Sequence, residues 1–180
     1  MEFCVGCPIW SFKGWAGNFY PERTKAGDYL YEYARRLTAV EGNTTFYAVP
    51  AARTLDQWAA ATPDTFRFCF KIPKAISHTG RLAGQEAAAR QFVEAVGRLQ
   101  PRLGPMFLQL PPGYSPAMLD DLRAFLEGWP RGFRLGVEVR HPAWFDAPHN
   151  ERLNDLLRRL NMARVVIDTR PIRSLDGDRL

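Results

Sequence analysis

The chain has 180 residues, 46% of them hydrophobic and 24% charged, so it can bury a sizeable core and is too apolar to be disordered. Its net charge of +5 comes from 24 basic and 19 acidic residues spread along the chain, which favours anionic partners mildly and makes nucleic acid an unlikely one. The amino terminus lacks a signal-peptide layout, and no uncharged apolar run approaches the roughly 18 residues of a membrane span, so we expect a soluble, cytoplasmic protein with no membrane partner.

Six short apolar or alternating runs predict β-strands, and a stretch with helical periodicity follows each of the first five. The predicted strands are 3–7, 39–43, 66–71, 104–110, 134–139 and 164–168. Strands that alternate with helices at this spacing are typical of parallel sheets covered by helices.

The intervening helices are predicted from apolar stripes and from start signals. The stripes are Leu30, Tyr33, Ala34 and Leu37, then Met118, Leu122, Phe125 and Leu126, then Leu153, Leu156, Leu157 and Leu160. Thr54 with Gln57 predicts a capping box, and Ser115 before Pro116 predicts a helix start.

The strand starts recur about every 32 residues, and eight such units would need about 250 residues, the usual size of a (β/α)8 barrel. We therefore predict one α/β domain over residues 1–180, TIM-barrel-like, with parallel strands and about six of eight units present.

Polar residues interrupt the strands at or near their carboxyl ends, where such barrels place their active sites. Strand parity assigns these residues to the barrel interior, and His78, His141 and Trp144 lie just beyond strand ends. The predicted interior set is Glu41, Asn43, Lys71, Gln109, Glu138, Arg140 and Asp168. Because several strands repeat the placement, we expect a ligand site rather than isolated strand-end residues, the alternative being structural ion pairs such as Glu138 with Lys71.

Cysteine usage does not point to a metal or redox site. Cys4 and Cys7 form a C-x-x-C pair, but no second cysteine pair or histidine pair follows at zinc spacing. No cofactor is specified by the sequence.

Several segments together resemble the DUF72, or YecE-like, family of TIM-barrel-like proteins, and the resemblance extends over nearly the whole chain. These segments are GCPIWSFKGWAGNFYP (6–21), VEGNTTFYAVP (40–50), FRFCFKIPKAISHTGRL (66–82), LGPMFLQLPP (103–112) and VEVRHPAW (137–144). The resemblance implies signature positions at Glu41, Asn43, Thr45, Phe46, Tyr47, Lys71, His78, Gln109, Glu138, Arg140, His141 and Trp144. It also implies further barrel units after the sixth strand, so we expect an incomplete member of the family. It implies no settled activity.

The first functional hypothesis is an enzyme that acts on a small anionic or sugar-like metabolite. Lys71 and Arg140 would hold a phosphate or carboxylate, and Glu41 and Glu138 would serve as general acid and base. The predicted catalytic residues are Glu41, Glu138, His141 and Lys71, and the predicted substrate-binding residues are Asn43, His78, Gln109, Arg140, Trp144, Asp168 and Trp10. A hydrolase, a lyase or an isomerase would each fit.

Two other hypotheses stay open. In a metal-dependent hydrolase or phosphodiesterase, Glu41, Glu138, His141 and Asp168 would bind a divalent ion. In a non-enzymatic module, the aromatic loop around Trp10 and Trp15 would stack on an anionic ligand or on bases, although such a loop is more often a hydrophobic plug.

Overall fold

The computed structural model describes residues 3–167, which form an α/β fold with parallel strands. The strands are β1 (Gly6–Cys7), β2 (Ala39–Gly42), β3 (Arg67–Phe70), β4 (Met106–Gln109), β5 (Leu135–Glu138) and β6 (Ala163–Arg164). The helices are α1 (Tyr29–Ala34), α2 (Ala52–Ala61), α3 (Lys74–Ser77), α4 (Glu86–Gly97), α5 (Leu119–Glu127) and α6 (His149–Arg159). Short 3₁₀ turns occupy Lys13–Trp15, Ala26–Asp28, Asn43–Phe46, Pro116–Met118 and Pro142–Phe145. None of the helices described is long and apolar enough to cross a membrane.

The strands form two three-stranded parallel sheets, ordered β1-β2-β3 and β4-β5-β6. Isolated parallel bridges join the two sheets, pairing Phe68 with Leu103 and Lys71 with Phe107. The prediction of parallel strands is therefore confirmed, and consecutive strands are neighbours throughout the described chain.

All six predicted strands exist, but each is shorter than predicted. The first strand, for example, pairs with β2 only at Gly6 and Cys7 rather than over 3–7. The sixth pairs with β5 at Ala163 and Arg164, so it ends earlier than the predicted 164–168, part of which lies outside the described residues. Apolar patterning marks which segment is extended, whereas the partner strand decides how much of it is paired.

The sheets bury one face beneath helices, and aromatic side chains fill that layer. Phe66, Phe68 and Phe70 are almost completely buried. Trp58 of α2 stacks on Phe68 and Phe70 with ring centroids 5.8 and 6.1 Å away. Most residues of the predicted stripes on α1, α5 and α6 are buried in the core, as their spacing requires, whereas Ala34, Leu37, Met118 and Leu160 pack against it half-buried.

The predicted capping box at Thr54 and Gln57 is wrong. Helix α2 begins at Ala52, after Ala51 in an extended conformation, so Thr54 lies inside the first turn. The predicted helix start at Ser115 marks the beginning of a helical segment correctly, because Pro116 opens a 3₁₀ turn that runs into α5 at Leu119.

The buried phenol of Tyr33 joins β1 to β2 beside their short ladder. Its oxygen accepts from the Cys7 N–H at 2.5 Å and donates to the Ala39 carbonyl at 3.0 Å. Burial raises the pKa of Tyr33 to about 12, so its hydroxyl stays protonated and remains a hydrogen-bond donor at physiological pH.

Replacing Tyr33 with Phe should reduce the free energy of unfolding by about 1–3 kcal/mol, because a buried backbone carbonyl and an N–H lose their partner. Urea denaturation measures the loss. The matched control is Tyr31→Phe, since Tyr31 is half exposed and, within residues 3–167, its hydroxyl bonds only the exposed Arg35. Equal effects of the two substitutions would contradict this account.

A second network, centred on the Asp121 carboxylate of α5, fixes the loop that precedes α4. Asp121 accepts from the N–H groups of Leu82 (2.8 Å) and Ala83 (3.2 Å) and from the Tyr114 hydroxyl (2.8 Å). Burial acts to raise the pKa of Asp121, but these hydrogen bonds outweigh it and hold the pKa below its ordinary value of 3.8.

Because the folded-state pKa is depressed, Asp121 stabilises the fold above the unfolded-state pKa, and this contribution is lost as pH falls through the folded-state value. Asp121→Asn should therefore cost about 1–3 kcal/mol at pH 7, and the difference from wild type should shrink in acid below about pH 4. Urea denaturation of both proteins, at pH 7 and again below about pH 4, measures the difference in the free energy of unfolding. The neighbouring control is Asp120→Asn, because the Asp120 side chain is 87% exposed and, within the part of the chain that the structure describes, pairs only with Arg123. If Asp121→Asn loses the same free energy of unfolding at both pH values, the stabilising role of the Asp121 carboxylate is wrong.

Candidate functional site

The ends of β3, β4 and β5 bring four of the predicted residues into one row of hydrogen bonds. Lys71 Nζ donates to Gln109 Oε1 at 2.7 Å, and Gln109 Nε2 donates to Glu138 Oε1 at 2.7 Å. Arg140 Nε donates to the same Glu138 oxygen at 2.7 Å. We call Lys71, Gln109, Glu138 and Arg140 the polar row.

Sheet register explains how residues far apart in sequence meet. Gln109 and Glu138 are the last residues of their strands and face each other in the β4–β5 ladder. Lys71 follows β3 directly and pairs with Phe107, two residues before Gln109. Side chains two residues apart on a strand share a face, so Lys71 and Gln109 point to the same side of the sheet.

The amide of Gln109 has only one orientation that satisfies both neighbours. Its oxygen must face the Lys71 ammonium, which has no acceptor, and its NH2 must face the Glu138 carboxylate, which has no donor. The predicted pairing of Glu138 with Lys71 is therefore indirect, through Gln109, and the direct ion pair is Glu138 with Arg140 at 2.7 Å.

Glu138 is a buried charge, with only 4% of its side chain exposed, whereas the Arg140 side chain is 39% exposed. A carboxylate at that depth requires hydrogen-bond donors, and both donors recorded among the described residues are on Oε1.

Lys71 is a half-buried cation whose ammonium makes no ion pair within 4 Å in the described part of the chain. It lies 4.1 Å from the centre of the Phe46 ring, a cation–π contact. Burial lowers the pKa of Lys71 below its ordinary value of 10.5, with the Glu138 and Glu41 charges opposing this effect and the Arg140 charge adding to it.

Glu41 and Asn43 lie on the strand next to Lys71, at the carboxyl end of β2. Glu41 is half-buried, faces Cys69 in the β2–β3 ladder, and is near enough to raise the pKa of Lys71 through its charge. Asn43 is half-buried and begins the 3₁₀ turn Asn43–Phe46. Burial raises the pKa of the neighbouring Cys69 to about 11, so that thiol is protonated and a poor nucleophile.

His78 packs against Phe46, the ring that also contacts Lys71. Its ring meets Phe46 edge-on, with centroids 5.1 Å apart, and its Nδ1 lies 2.8 Å from the Ser77 hydroxyl. Burial, followed by the charges of Lys71 and Lys74, lowers the pKa of His78, so the imidazole is neutral at physiological pH.

The other predicted site residues are not joined to the polar row. His141 is half-buried, and its Nδ1 accepts from the Ala143 N–H at 3.2 Å, which caps the turn Pro142–Phe145. Trp144 is fully buried and donates through Nε1 to the Tyr114 carbonyl at 2.7 Å, which is a packing arrangement in the core. Asp168 lies outside the described residues.

The aromatic loop packs against the body of the protein. Trp10 meets Trp58 of α2 edge-on at 5.2 Å, and its carbonyl accepts from the Tyr20 hydroxyl at 2.6 Å. Trp15 packs against Phe19 and Tyr20 at 5.1 and 5.6 Å. These contacts favour the plug interpretation of the loop over a base-stacking surface.

Two neighbours of Lys71, Thr45 and Phe46, are signature positions of the family resemblance that were not among the predicted catalytic or substrate-binding residues. Phe46 supplies the ring beneath the ammonium, and the buried Thr45 hydroxyl lies 2.7 Å from the carbonyls of both Gly42 and Lys71. Thr45 thereby ties the end of β2 to the end of β3. The available signal was their position directly after Glu41 and Asn43, in the segment NTTFY.

Comparisons with known proteins identify the family of the chain. The chain is 39% identical over 169 residues to the UPF0759 protein YecE of Escherichia coli K12, and the match covers 93% of this chain and 60% of that protein. It is 26% identical over 153 residues to the UPF0759 protein YunF of Bacillus subtilis, covering 77% of this chain and 52% of that protein. The chain thus spans about three fifths or less of the length of these curated relatives.

Among solved structures, a DUF72 family protein from Enterococcus faecalis V583 superposes with a TM-score of 0.72 at 22% identity, covering 92% of this chain and 60% of that one. A DUF72 family protein from Thermotoga maritima MSB8 superposes with a TM-score of 0.69 at 28% identity, covering 92% and 64%. The family model described as "Protein of unknown function DUF72" matches residues 4–176. The chain therefore belongs to the DUF72 family.

Proposed function

We propose that the polar row is the anion-binding part of a site for a small anionic metabolite, and that the protein is an enzyme acting on it by acid–base chemistry. The observation that carries the proposal is the Lys71–Gln109–Glu138–Arg140 hydrogen-bond row at the carboxyl ends of three neighbouring parallel strands. Open ends of parallel strands are where α/β proteins bind ligands.

The two cations of the row keep donors for a ligand. An ammonium has three N–H donors and a guanidinium five, and in the described residues Lys71 and Arg140 each donate one side-chain hydrogen bond. The remaining donors suit a phosphate or carboxylate, and the guanidinium can bind it with two parallel hydrogen bonds.

A purely structural ion network explains Lys71 less well. Burying its ammonium lowers its pKa, which shows that the protonated form is held at a cost, and the nearest row member is a neutral amide. A half-buried cation without a direct counter-ion is what an incoming anion would neutralise.

In this proposal the two glutamates have different roles. Glu138 is a positioning residue, because its carboxylate already accepts from Gln109 and Arg140. Glu41 is the proposed acid–base group, since it lies beside Lys71 and no side-chain hydrogen bond from it is recorded in the described residues. The neutral His78 imidazole is a second candidate base.

No specific observation favours the metal-dependent alternative. Within residues 3–167, no three His, Cys, Asp or Glu side chains cluster as a metal site. The predicted ligand His141 uses Nδ1 for a turn, and Glu138 uses Oε1 for the polar row.

We further propose that the two joined sheets belong to a single TIM-barrel-like domain with about six of eight units in this chain. The sequential order of parallel strands, the helical layer on one face and the polar groups at the carboxyl ends support this proposal.

Replacing Lys71 with Met keeps the aliphatic stem and removes the charge, so affinity for inorganic phosphate should fall about tenfold to a hundredfold. Isothermal titration calorimetry measures the affinity, and the melting temperature should stay close to that of wild type. Lys25→Met is the matched control, because Lys25 is exposed and precedes the distant turn Ala26–Asp28. Wild-type protein that fails to bind phosphate, or a Lys71 variant that binds as well as wild type, would refute the anion site.

The depressed pKa of Lys71 predicts that its ammonium deprotonates below the ordinary lysine value of 10.5. Anion affinity should therefore be lost as pH rises through this lowered pKa. Glu138→Gln removes a charge that raises the pKa of Lys71, so it should shift both the titration and the loss of affinity to still lower pH. The NMR chemical shift of the Lys71 ¹³Cε atom, measured as a function of pH, follows its titration.

The control for this measurement is Glu127→Gln, because Glu127 is exposed and pairs with Arg159 away from the polar row. Titration of Lys71 at or above the ordinary lysine value of 10.5, or no change of its titration in the Glu138 variant, would contradict the environment described for its ammonium.

A further inference from the structure

A cleft of about 440 Å³ is lined by Phe46, the residue whose ring also contacts the Lys71 ammonium of the polar row. We call it the ring cleft. Its lining residues are Phe46, Tyr47, Pro73, Lys74, Ala75, His78 and Thr79.

The walls of the ring cleft are mainly flat and apolar. The Phe46 ring meets Tyr47 edge-on at 5.2 Å and His78 edge-on at 5.1 Å. Tyr47 is 82% exposed, so its faces are free to contact a ligand. A single exposed aromatic is ordinary, but three contiguous rings next to a cation form a surface that suits another ring.

The cleft is built on a rigid base. Pro73 is buried and immediately precedes α3, and Ile76 on that helix is also buried. The Ser77 hydroxyl bonds the His78 ring at 2.8 Å and lies 3.1 Å from the Pro73 carbonyl. A preformed wall lowers the entropic cost of ligand binding.

Phe46 lines the cleft and also contacts Lys71 of the polar row. Its ring therefore sets the distance between the cleft and the row. Lys71 Nζ lies 4.1 Å from the centre of the Phe46 ring that forms one wall of the cleft. An anionic group bound at Lys71 is therefore about one ring width from the cleft, and the exposed Lys74 adds a positive charge at its rim.

We infer that the ring cleft binds a flat ring attached directly to the anionic group held by Lys71 and Arg140, so the ligand class is a ring-bearing phosphate or carboxylate. This inference rests on the proposed function, because it requires the anion to bind at the polar row. It assigns specificity for the rest of the ligand to Phe46, Tyr47 and His78.

The test compares two probes on the full chain by calorimetry, namely phenyl phosphate and methyl phosphate. Both carry the same anionic group, and only the first carries a ring. Wild-type protein should bind phenyl phosphate about tenfold more tightly, the advantage that one well-packed aromatic contact gives.

Tyr47→Ala should reduce this advantage about threefold or more and leave the affinity for methyl phosphate unchanged. Because Tyr47 is exposed, the variant should keep the wild-type circular dichroism spectrum and melting temperature. Tyr31→Ala is the matched control, since Tyr31 is also an exposed tyrosine but lies on α1, and it should keep the full advantage.

The outcomes separate this inference from the proposed function. Equal affinities for the two probes would overturn the ring cleft and leave the anion site standing. An advantage that survives in Tyr47→Ala would place the ring elsewhere and would also overturn the inference. If neither probe binds, both the anion site and the ring cleft are refuted.

Discussion

The buried carboxylate of Glu138 is the constraint on which the candidate site depends. A charge that is almost fully removed from water must be surrounded by donors, and here the donors are Gln109 and Arg140. Meeting that requirement orients the Gln109 amide, and the amide in turn holds the Lys71 ammonium. One buried charge thus determines the placement of side chains on three strands.

The parallel sheets make this placement possible because they bring chain segments 29 and 38 residues apart to the same edge. The layer of Phe66, Phe68 and Phe70 beneath α2 holds β3 in place, and the Thr45 hydroxyl links the end of β2 to the end of β3. The site therefore lies on well-packed strand ends rather than on long loops, which favours a fixed geometry.

Much of this arrangement follows from strand parity. The period of two predicts that Lys71, Gln109 and Glu138 lie on the face opposite the buried phenylalanines, and hydrophobic runs locate all six strands. Parity also places Glu138 and Arg140 on one face, two residues apart, but it cannot predict contacts between strands, so the position of Gln109 between Lys71 and Glu138 emerges only in three dimensions.

Local signals were less dependable where tertiary contacts decide the outcome. Thr54 resembles a helix cap, but α2 starts two residues earlier, and Trp144 follows a strand end but is buried beside Tyr114. Asp121 gives no signal in the sequence at all, because its partners Leu82 and Ala83 lie 39 and 38 residues away.

The glutamine at the centre of the polar row has one more consequence. A primary amide donates and accepts hydrogen bonds but does not exchange protons readily at neutral pH, unlike a carboxyl group or an imidazole in the same position. Gln109 therefore joins Lys71 to Glu138 by hydrogen bonds without relaying a proton between them, while the two charges still influence each other through space. A proton gained or lost at the lysine end would not travel through Gln109 to the glutamate end, so proton exchange at each end of the polar row must use another route.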